Sequence, residues 1–255
     1  MSAPYIPRMS GEVHGLTEFY ASPPGQVAAR LIRARLSALW PDCTGLDVLG
    51  LGWAVPYMGL WAGQRGRRIS LVPACFDAAR GTALTEDHDL PLPDRSLDRI
   101  LLIHGLEASE HVRPLLRECW RVLRDDGRLL VVAPNRLGPW ALFDHTPFGQ
   151  GRPYSRGQLS RLLESRMFHV LRREEALFVP PFPWRFALGG ARLWESVGRV
   201  TARRLAGVAL VEAEKDLFSA LPAGAVTVGR RVVQPVPARY AVEPPPSDDN
   251  SSARA

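Results

Sequence analysis

Short apolar runs alternate along the chain with longer segments in which apolar residues recur every three or four positions. The runs predict buried strands, because strands covered on both faces are apolar almost throughout. They occupy residues 46–51, 68–72, 82–84, 98–104, 128–133, 170–178 and 208–212. The segments between them predict helices, most clearly at 28–39, at 110–124 and after the Ser155–Gln158 capping box. This alternation predicts an α/β fold with a mostly parallel sheet and helices on both faces.

The two ends of the chain have a different pattern. Residues 1–24 contain several prolines and glycines and predict an irregular segment. Residues after about 240 are polar and proline-rich and predict disorder. We therefore expect one domain over residues 1–220, followed by a C-terminal extension, 221–255. The domain is expected to comprise an N-terminal helical cap (1–40), a core (41–178) and a helical insertion (179–206), whose arginine-rich helix spans about 187–205.

The chain carries a net charge of +6, with a pI of about 9.8. Lys215 is the only lysine, and the arginines are spread along the chain among acidic residues. A nucleic-acid surface is typically a clustered basic patch. The dispersed pattern therefore disfavours a nucleic-acid partner.

Other features of the composition are those of an ordinary soluble protein. No run reaches the ~18 apolar residues that a membrane span needs, and the N-terminus lacks the apolar segment of a secretory signal. The cysteines, Cys43, Cys75 and Cys119, are three in number and far apart, so they predict neither a disulfide framework nor a metal site. We expect a cytoplasmic protein without a bound metal.

A glycine-containing turn, residues 49–56, follows the first predicted strand. In a doubly wound sheet this position borders the crevice where ligands bind. A dinucleotide fingerprint calls for a third glycine at position 55, which is Val55, and for an acid after the second strand, where Pro73 and Ala74 stand. The turn therefore disfavours nicotinamide and flavin cofactors.

Four ordered segments resemble the class I S-adenosylmethionine-dependent methyltransferases, in particular their type 11 branch. They are LGLGWA at 49–54, LPLPDRSLDRILLIHGLE at 90–107, LLRECWRVLRDDGRLLVVAPN at 115–135 and RPYSRGQLSRLLESRMF at 152–168. The resemblance covers about residues 45–178. It implies a doubly wound, Rossmann-like sheet of seven strands with the last strand antiparallel. It also implies S-adenosylmethionine as cofactor and transfer of its methyl group to an acceptor, which we expect to be a small molecule.

The resemblance also implies which residues hold the cofactor. The first-strand turn contributes its three small residues, Gly50, Gly52 and Ala54. Glu86 and Asp87 follow the third strand, where the family often places an acid beside the adenine. Tyr20, which precedes the first predicted helix, is expected to close over the cofactor.

Two positions depart from the family pattern. Val48 stands where an acid usually precedes the first glycine by two residues, and Asp47 comes one position early. Pro73 and Ala74 stand where an acid usually binds the ribose at the end of the second strand. A charged hydrogen bond contributes about 1.5–3 kcal/mol. The absence of this charged contact to the ribose leaves an alternative open: an inactive methyltransferase fold that serves as a scaffold or binding module.

The acceptor side is predicted from the end of the fourth strand and the loop after the fifth. His104 ends the fourth strand and is a candidate catalytic base, with a backbone-bonded structural histidine as the alternative. The loop at 135–154 is long enough for a lid, and its candidate acceptor contacts are His145, Arg152 and Tyr154. The fourth-strand exit lacks the Asn/Asp-Pro-Pro-aromatic segment of many amino-group methyltransferases, which mildly favours a carbon, oxygen or small-molecule acceptor. The pattern identifies neither the acceptor nor the oligomeric state.

Overall fold

A computed structural model describes residues 10–73, 83–85, 89–143, 146–179 and 205–217. The helices are α1 (Ser10–Ala21), α2 (Pro23–Leu39), α3 (Val55–Met58), α4 (Gly105–Ala108), α5 (Val112–Val122) and α6 (Arg156–Glu164). The strands are β1 (Val48–Gly52), β2 (Arg68–Pro73), β3 (Ala83–Thr85), β4 (Leu97–Ile103), β5 (Leu123–Pro134), β6 (Phe168–Ala176) and β7 (Val208–Lys215). No described helix has both the length and the apolarity needed to span a bilayer.

The strands form one sheet of seven, in the order β3-β2-β1-β4-β5-β7-β6. Strands β1 to β5 pair in parallel, whereas β7 runs antiparallel to both of its neighbours, β5 and β6. This confirms the predicted doubly wound α/β fold with an antiparallel last strand. The strand order reverses between β1 and β4, which creates a crevice at the carboxyl ends of these two strands.

Helices cover both faces of the sheet, as predicted. On one face α2 buries an apolar stripe, Ala28, Leu31, Ile32, Leu36 and Leu39. The Ser22 hydroxyl caps this helix by accepting a hydrogen bond from the Gly25 amide, and Pro23 suits its first turn. On the other face α5 and α6 bury Leu115, Leu116, Cys119, Leu159 and Leu163. The predicted capping box of α6 is present, with Ser155 and Gln158 each bonded to the other's backbone.

The prediction of an irregular segment over residues 1–24 is wrong for residues 10–21, which form α1, and for residues 23–24, which begin α2. Leu16, Phe19 and Tyr20 share one side of this helix, because they are three and four positions apart. Phe19 packs edge-on against Trp140 and Phe148. Tertiary packing of this stripe therefore outweighs the low helix propensity of the glycines in the segment.

Several predicted boundaries shift. The fifth strand begins at Leu123 rather than at Arg128, so α5 ends earlier than the predicted helix. β7 continues to Lys215. The predicted arginine-rich helix, the disordered C-terminus and the candidate residues Glu86, Asp87 and His145 lie outside the described residues, as does Cys75.

Candidate functional site

The turn after β1 crosses the end of β4 through Gly52. This glycine has φ +79°, a left-handed conformation that favours glycine. A Cβ at this position would lie 2.2 Å from the Ile103 carbonyl oxygen and 2.8 Å from the Gly105 amide nitrogen. The next amide, that of Trp53, donates a 2.7 Å hydrogen bond to the same Ile103 carbonyl. The crossing therefore requires glycine and fixes the turn at the mouth of the crevice.

The other two predicted small residues of the turn, Gly50 and Ala54, lie together beneath it. A Cβ on Gly50 would lie 2.8 Å from the Met58 sulfur and 2.9 Å from the Ala54 Cβ. Both residues thus allow α3 to pack closely on β1. The sequence predicts Gly50, Gly52 and Ala54 in one turn. In the structure Gly50 lies within β1, paired with Leu101 of β4, Gly52 ends β1, and Ala54 precedes α3.

The side of the crevice formed by β1 and β2 is apolar. Leu16 from α1, Trp53 from the turn and Val72 from β2 form a buried cluster. Tyr20 and Ala108 pack against its edge. Helix α1 therefore covers this side of the crevice.

The side formed by β4 is polar and centres on His104. This residue follows β4 with a left-handed φ of 56° and is 4% exposed. Its Nδ1 lies 2.9 Å from Glu107 Oε1, and its Nε2 lies 2.7 Å from the Tyr20 hydroxyl. The Tyr57 hydroxyl donates a 3.0 Å hydrogen bond to the Tyr20 hydroxyl. The structure thus brings two predicted site residues, His104 and Tyr20, into direct contact.

The order of donors in this chain of four side chains follows from chemistry. A carboxylate only accepts hydrogen bonds, so Nδ1 of His104 carries the hydrogen that Glu107 accepts. Nε2 then has a free lone pair and accepts the hydrogen of the Tyr20 hydroxyl. The hydroxyl oxygen of Tyr20 in turn accepts from Tyr57. The imidazole is therefore held in one tautomer, with Nε2 as its basic nitrogen.

Burial keeps the hydroxyl groups of Tyr20 and Tyr57 protonated. It is the largest cause of the raised pKa of Tyr20, and the neighbouring Tyr57 raises that pKa further. Burial also raises the pKa of Tyr57, against a smaller lowering contribution from the positive charge of Arg33. At neutral pH both phenols are therefore neutral hydrogen-bond donors.

Glu107 has one oxygen that no other described residue satisfies. Its side chain is 3% exposed, and Oε1 is bonded to His104. Oε2 is buried and has no hydrogen-bond partner in the described part of the chain. Both His104 and Glu107 line a narrow cavity beside α1. Glu107 follows His104 by three positions in the sequence, but its open oxygen depends on the fold.

The loop after β5 docks on α4 through its backbone. The Arg152 amide donates a 3.1 Å hydrogen bond to the Glu107 carbonyl, and the Tyr154 amide donates a 3.0 Å bond to the Pro134 carbonyl. The Arg152 side chain is exposed. Tyr154 is half-buried, and this burial raises its pKa. The loop therefore reaches the site, while acceptor contacts by the Arg152 and Tyr154 side chains stay predictions.

Asp47, the acid that precedes β1, serves a different part of the molecule. It lies at the amino end of the strand, opposite the crevice, and accepts a 2.8 Å hydrogen bond from Arg67. This bond is the main reason why the pKa of Asp47 falls to about 2. Asp47 therefore stabilises the end of the sheet that lies opposite the crevice.

Sequence reasoning missed two contributors to the site, Leu16 and Tyr57. The spacing of Leu16, Phe19 and Tyr20 was a detectable signal, because it matches one face of a helix. Tyr57 carried no such signal. Its role depends on α1 and α3 meeting over the crevice.

Comparisons with known proteins agree with this architecture. Residues 61–131 match the model of a family described as "Methyltransferase domain". A relative from Mycolicibacterium smegmatis, named as a probable S-adenosylmethionine-dependent methyltransferase, is 36% identical over 139 residues. The match covers 50% of this chain and 54% of the relative. The chain thus spans about half the length of the curated relative it matches.

Solved structures show the same fold over most of the described chain. A SAM-dependent methyltransferase from Thermotoga maritima has a TM-score of 0.59 at 15% identity, covering 80% of this chain and 96% of that one. Another from Archaeoglobus fulgidus has a TM-score of 0.51 at 18% identity, covering 78% and 96%. The resemblance of this chain to the class I S-adenosylmethionine-dependent methyltransferases, type 11, is therefore confirmed.

Proposed function

We propose that the protein transfers a methyl group from S-adenosylmethionine to a small-molecule acceptor. The observation that carries this proposal is the position of His104. A buried histidine in a fixed tautomer ends β4, beside the glycine turn of a methyltransferase fold. A methyl acceptor that loses a proton needs such a base close to the reacting atom.

The residues around the crevice fit the cofactor. The turn containing Gly52 brings main chain to the crossover point, and the apolar wall of Leu16, Trp53 and Val72 suits an adenosyl group. The buried carboxylate of Glu107 suits the positive charge of a sulfonium. Backbone around Gly50, Gly52 and Ala54 is thus proposed to hold the cofactor. Binding of the adenine by Glu86 and Asp87 stays a prediction.

S-adenosylmethionine, when bound, supplies an electrophilic methyl carbon: the acceptor atom bonds to it, the carbon–sulfur bond breaks with its electron pair on sulfur, and the acceptor loses a proton. His104 Nε2 is the proposed proton acceptor, and Glu107 holds the imidazole in the required tautomer. In the present structure Tyr20 donates to Nε2. Tyr20 therefore has to release Nε2 before that nitrogen meets an acceptor.

The test combines cofactor binding with turnover. Calorimetry on the full chain is expected to show binding of S-adenosylmethionine, and release of S-adenosylhomocysteine is measured with a panel of small amines, alcohols and phenols. His104→Asn is expected to keep cofactor binding and to lower turnover at least about 100-fold, the usual range for a general base. The control is His111→Asn, which changes an exposed histidine seven positions later. Absence of cofactor binding contradicts the proposal.

A second candidate is a binding module that keeps the fold without catalysis. The observation favouring it is that both ring nitrogens of His104 are occupied while Leu16 and Trp53 are buried together over the crevice. Leu16→Ala with Tyr20→Ala weakens the contacts of α1 with the crevice. If S-adenosylmethionine binds neither the original chain nor this variant, the second candidate is supported. Cofactor binding or turnover by either protein rejects it.

A further inference from the structure

A wide groove lies on the surface between α5 and the turn that joins α6 to β6. Its volume is about 840 Å³. Its lining combines apolar side chains with charged ones: Pro114, Trp120 and Met167, together with Arg113, Arg117, Glu118, Arg121 and Arg166. None of these residues contributes to the crevice, so a role of the groove is separate from the candidate methyl-transfer site.

Most of the positive charge in the groove is not neutralised by the described part of the chain. The one carboxylate among the described lining residues, Glu118, is already bound to Arg121, with 2.6 Å between Glu118 Oε2 and Arg121 Nη2. Arg113, Arg117 and Arg166 form no ion pair with any residue that the structure describes. These three guanidinium groups therefore attract anions to the groove.

Two of these arginines repel each other. Arg113 and Arg117 are exposed and lie one turn apart on α5, a spacing at which like charges destabilise a helix. An anionic partner replaces this repulsion with charge-assisted hydrogen bonds, because the planar guanidinium group matches a carboxylate through two parallel bonds. The arginines are dispersed in the sequence, but the fold brings Arg166, from the turn after α6, to the same groove.

The spacing of the two exposed arginines suits an extended acidic peptide. Four residues of helix separate Arg113 from Arg117, which places them about 6 Å apart along α5. Side chains at alternate positions of an extended peptide lie on one side of it, about 6–7 Å apart. Acidic residues at alternate positions can therefore each bind one of the two arginines.

A nucleic acid fits the groove less well, although its phosphates also suit arginines. Binding of single strands commonly uses aromatic side chains on which the bases stack. Trp120 is the aromatic residue of the described lining. The Lys215 ammonium lies 4.0 Å from the centre of its ring, and its indole N–H donates a 3.1 Å hydrogen bond to the Met167 carbonyl. One face of the ring is thus occupied, which favours a peptide over a nucleic acid.

We propose that this groove binds an acidic segment of a partner protein, in an extended conformation, with carboxylates at alternate positions bound to Arg113 and Arg117. Apolar side chains of the same segment then pack against Trp120 and Met167, which are half-buried and line the groove. The proposal does not depend on methyl transfer, because no residue of the groove lies in the crevice. It can therefore be tested by binding alone.

The experiment uses two fluorescein-labelled peptides, Glu-Leu-Glu-Leu-Glu and Gln-Leu-Gln-Leu-Gln, which match in size and differ in charge. Fluorescence anisotropy with the full chain at low salt is expected to show at least about tenfold tighter binding of the acidic peptide. This preference is expected to shrink as added salt screens the charges. Arg113→Gln with Arg117→Gln is expected to lower the affinity for the acidic peptide at least about tenfold. Its urea midpoint is expected to stay the same or to rise, because α5 loses a like-charge pair.

The matched control is Arg30→Gln with Arg65→Gln, which removes the same net charge from two exposed arginines outside the groove and is expected to keep the binding. Arg117→Glu alone gives a second test, because it reverses one charge at an exposed position and is expected to abolish binding of the acidic peptide.

Three results overturn the proposal: equal affinities for the two peptides or no binding of either, unchanged binding in both groove variants, and an equal loss of affinity in the control. Tighter binding of an oligothymidylate of the same net charge, lost in the groove variants, overturns the choice of partner and assigns the groove to nucleic acid. None of these results bears on the proposed methyl transfer, which is measured separately.

Discussion

The hydroxyl of Tyr20, on α1, forms a hydrogen bond with His104 at the end of β4. Tyr20→Phe removes only the oxygen of this hydroxyl. The oxygen takes part in two hydrogen bonds, one from Tyr57 at 3.0 Å and one to His104 at 2.7 Å. The ring contacts of Tyr20 with Phe19, Tyr57 and His104 remain. The substitution therefore isolates the hydrogen bonds from the packing of α1.

The expected loss of stability follows from the groups left behind. Tyr57 is fully buried and His104 is 4% exposed, so the hydroxyl of one and Nε2 of the other lose their partner where little water reaches them. Each unsatisfied buried group costs about 1–3 kcal/mol. Removal of the Tyr20 hydroxyl, itself partly buried, offsets about 1 kcal/mol of this cost. We expect Tyr20→Phe to lower the free energy of unfolding by about 1–5 kcal/mol.

A double-mutant cycle with Tyr57→Phe tests this reasoning. In the double variant no phenol is left unsatisfied, so its loss of stability is expected to be smaller than the sum of the two single losses by about 1–2 kcal/mol. The assay is urea unfolding of the full chain, followed by circular dichroism. Tyr154→Phe, at a half-buried tyrosine outside the network, is the control and is expected to change stability by less than about 0.5 kcal/mol. A Tyr20→Phe loss below that size, or strict additivity in the cycle, refutes the reasoning.

Three further predictions concern stability. Gly52→Ala is expected to lower the free energy of unfolding by more than about 2 kcal/mol, because the added Cβ would clash with the Ile103 carbonyl oxygen and alanine is strained at a left-handed φ. A urea midpoint equal to that of the original chain contradicts this. Asp47→Asn is expected to destabilise the fold above pH 3.8, the usual pKa, with the difference shrinking as the pH falls towards 2. Thermal melts of both proteins from pH 6 to pH 2 test this, and a difference in melting temperature that stays constant over this range refutes it. Ser155→Ala, which removes the cap of α6, is expected to cost about 1 kcal/mol by urea unfolding; no loss argues against the capping box.

The interior strands were predictable because continuous apolar runs of this length are typical of strands buried on both faces. Helices cover both faces of β4 and β5, and the central residues 100–103 of β4 and 129–133 of β5 are all apolar and buried, so these runs stand out. Their boundaries were less predictable. Leu123 and Arg124 continue the helical pattern of α5 but belong to β5. Leu123 pairs with Leu97 at the start of β4, and a register shift separates this pair from the next one, Arg99 with Arg128.

Helix α1 shows why local signals at the N-terminus were misleading. Its glycines and the prolines before it weigh against a helix, and isolated short helices are only marginally stable. The stripe of Leu16, Phe19 and Tyr20 becomes decisive only when the crevice and Trp140 are there to receive it. These partners are distant in the chain: Trp53 comes 37 positions after Leu16, and Trp140 comes 121 positions after Phe19.

The site was predictable in its positions and not in its contacts. Placing His104 at the end of β4 followed from the strand pattern, and the resemblance placed Gly52 at the neighbouring turn. The hydrogen bond between Tyr20 and His104 joins residues 84 positions apart, and nothing in the spacing of either residue specifies it. The open oxygen of Glu107 is equally invisible in a sequence, because burial and the absence of a donor are properties of the folded chain.

The two sides of the crevice share one covering element, and this links their chemistry. Leu16 and Tyr20 lie four positions apart on α1, hence on the same side of the helix. Leu16 packs on the apolar wall with Trp53, while Tyr20 donates to Nε2 of His104. A displacement of α1 that uncovers the wall therefore also frees the basic nitrogen. Uncovering the apolar wall of the crevice and freeing Nε2 of His104 are therefore geometrically coupled in this fold.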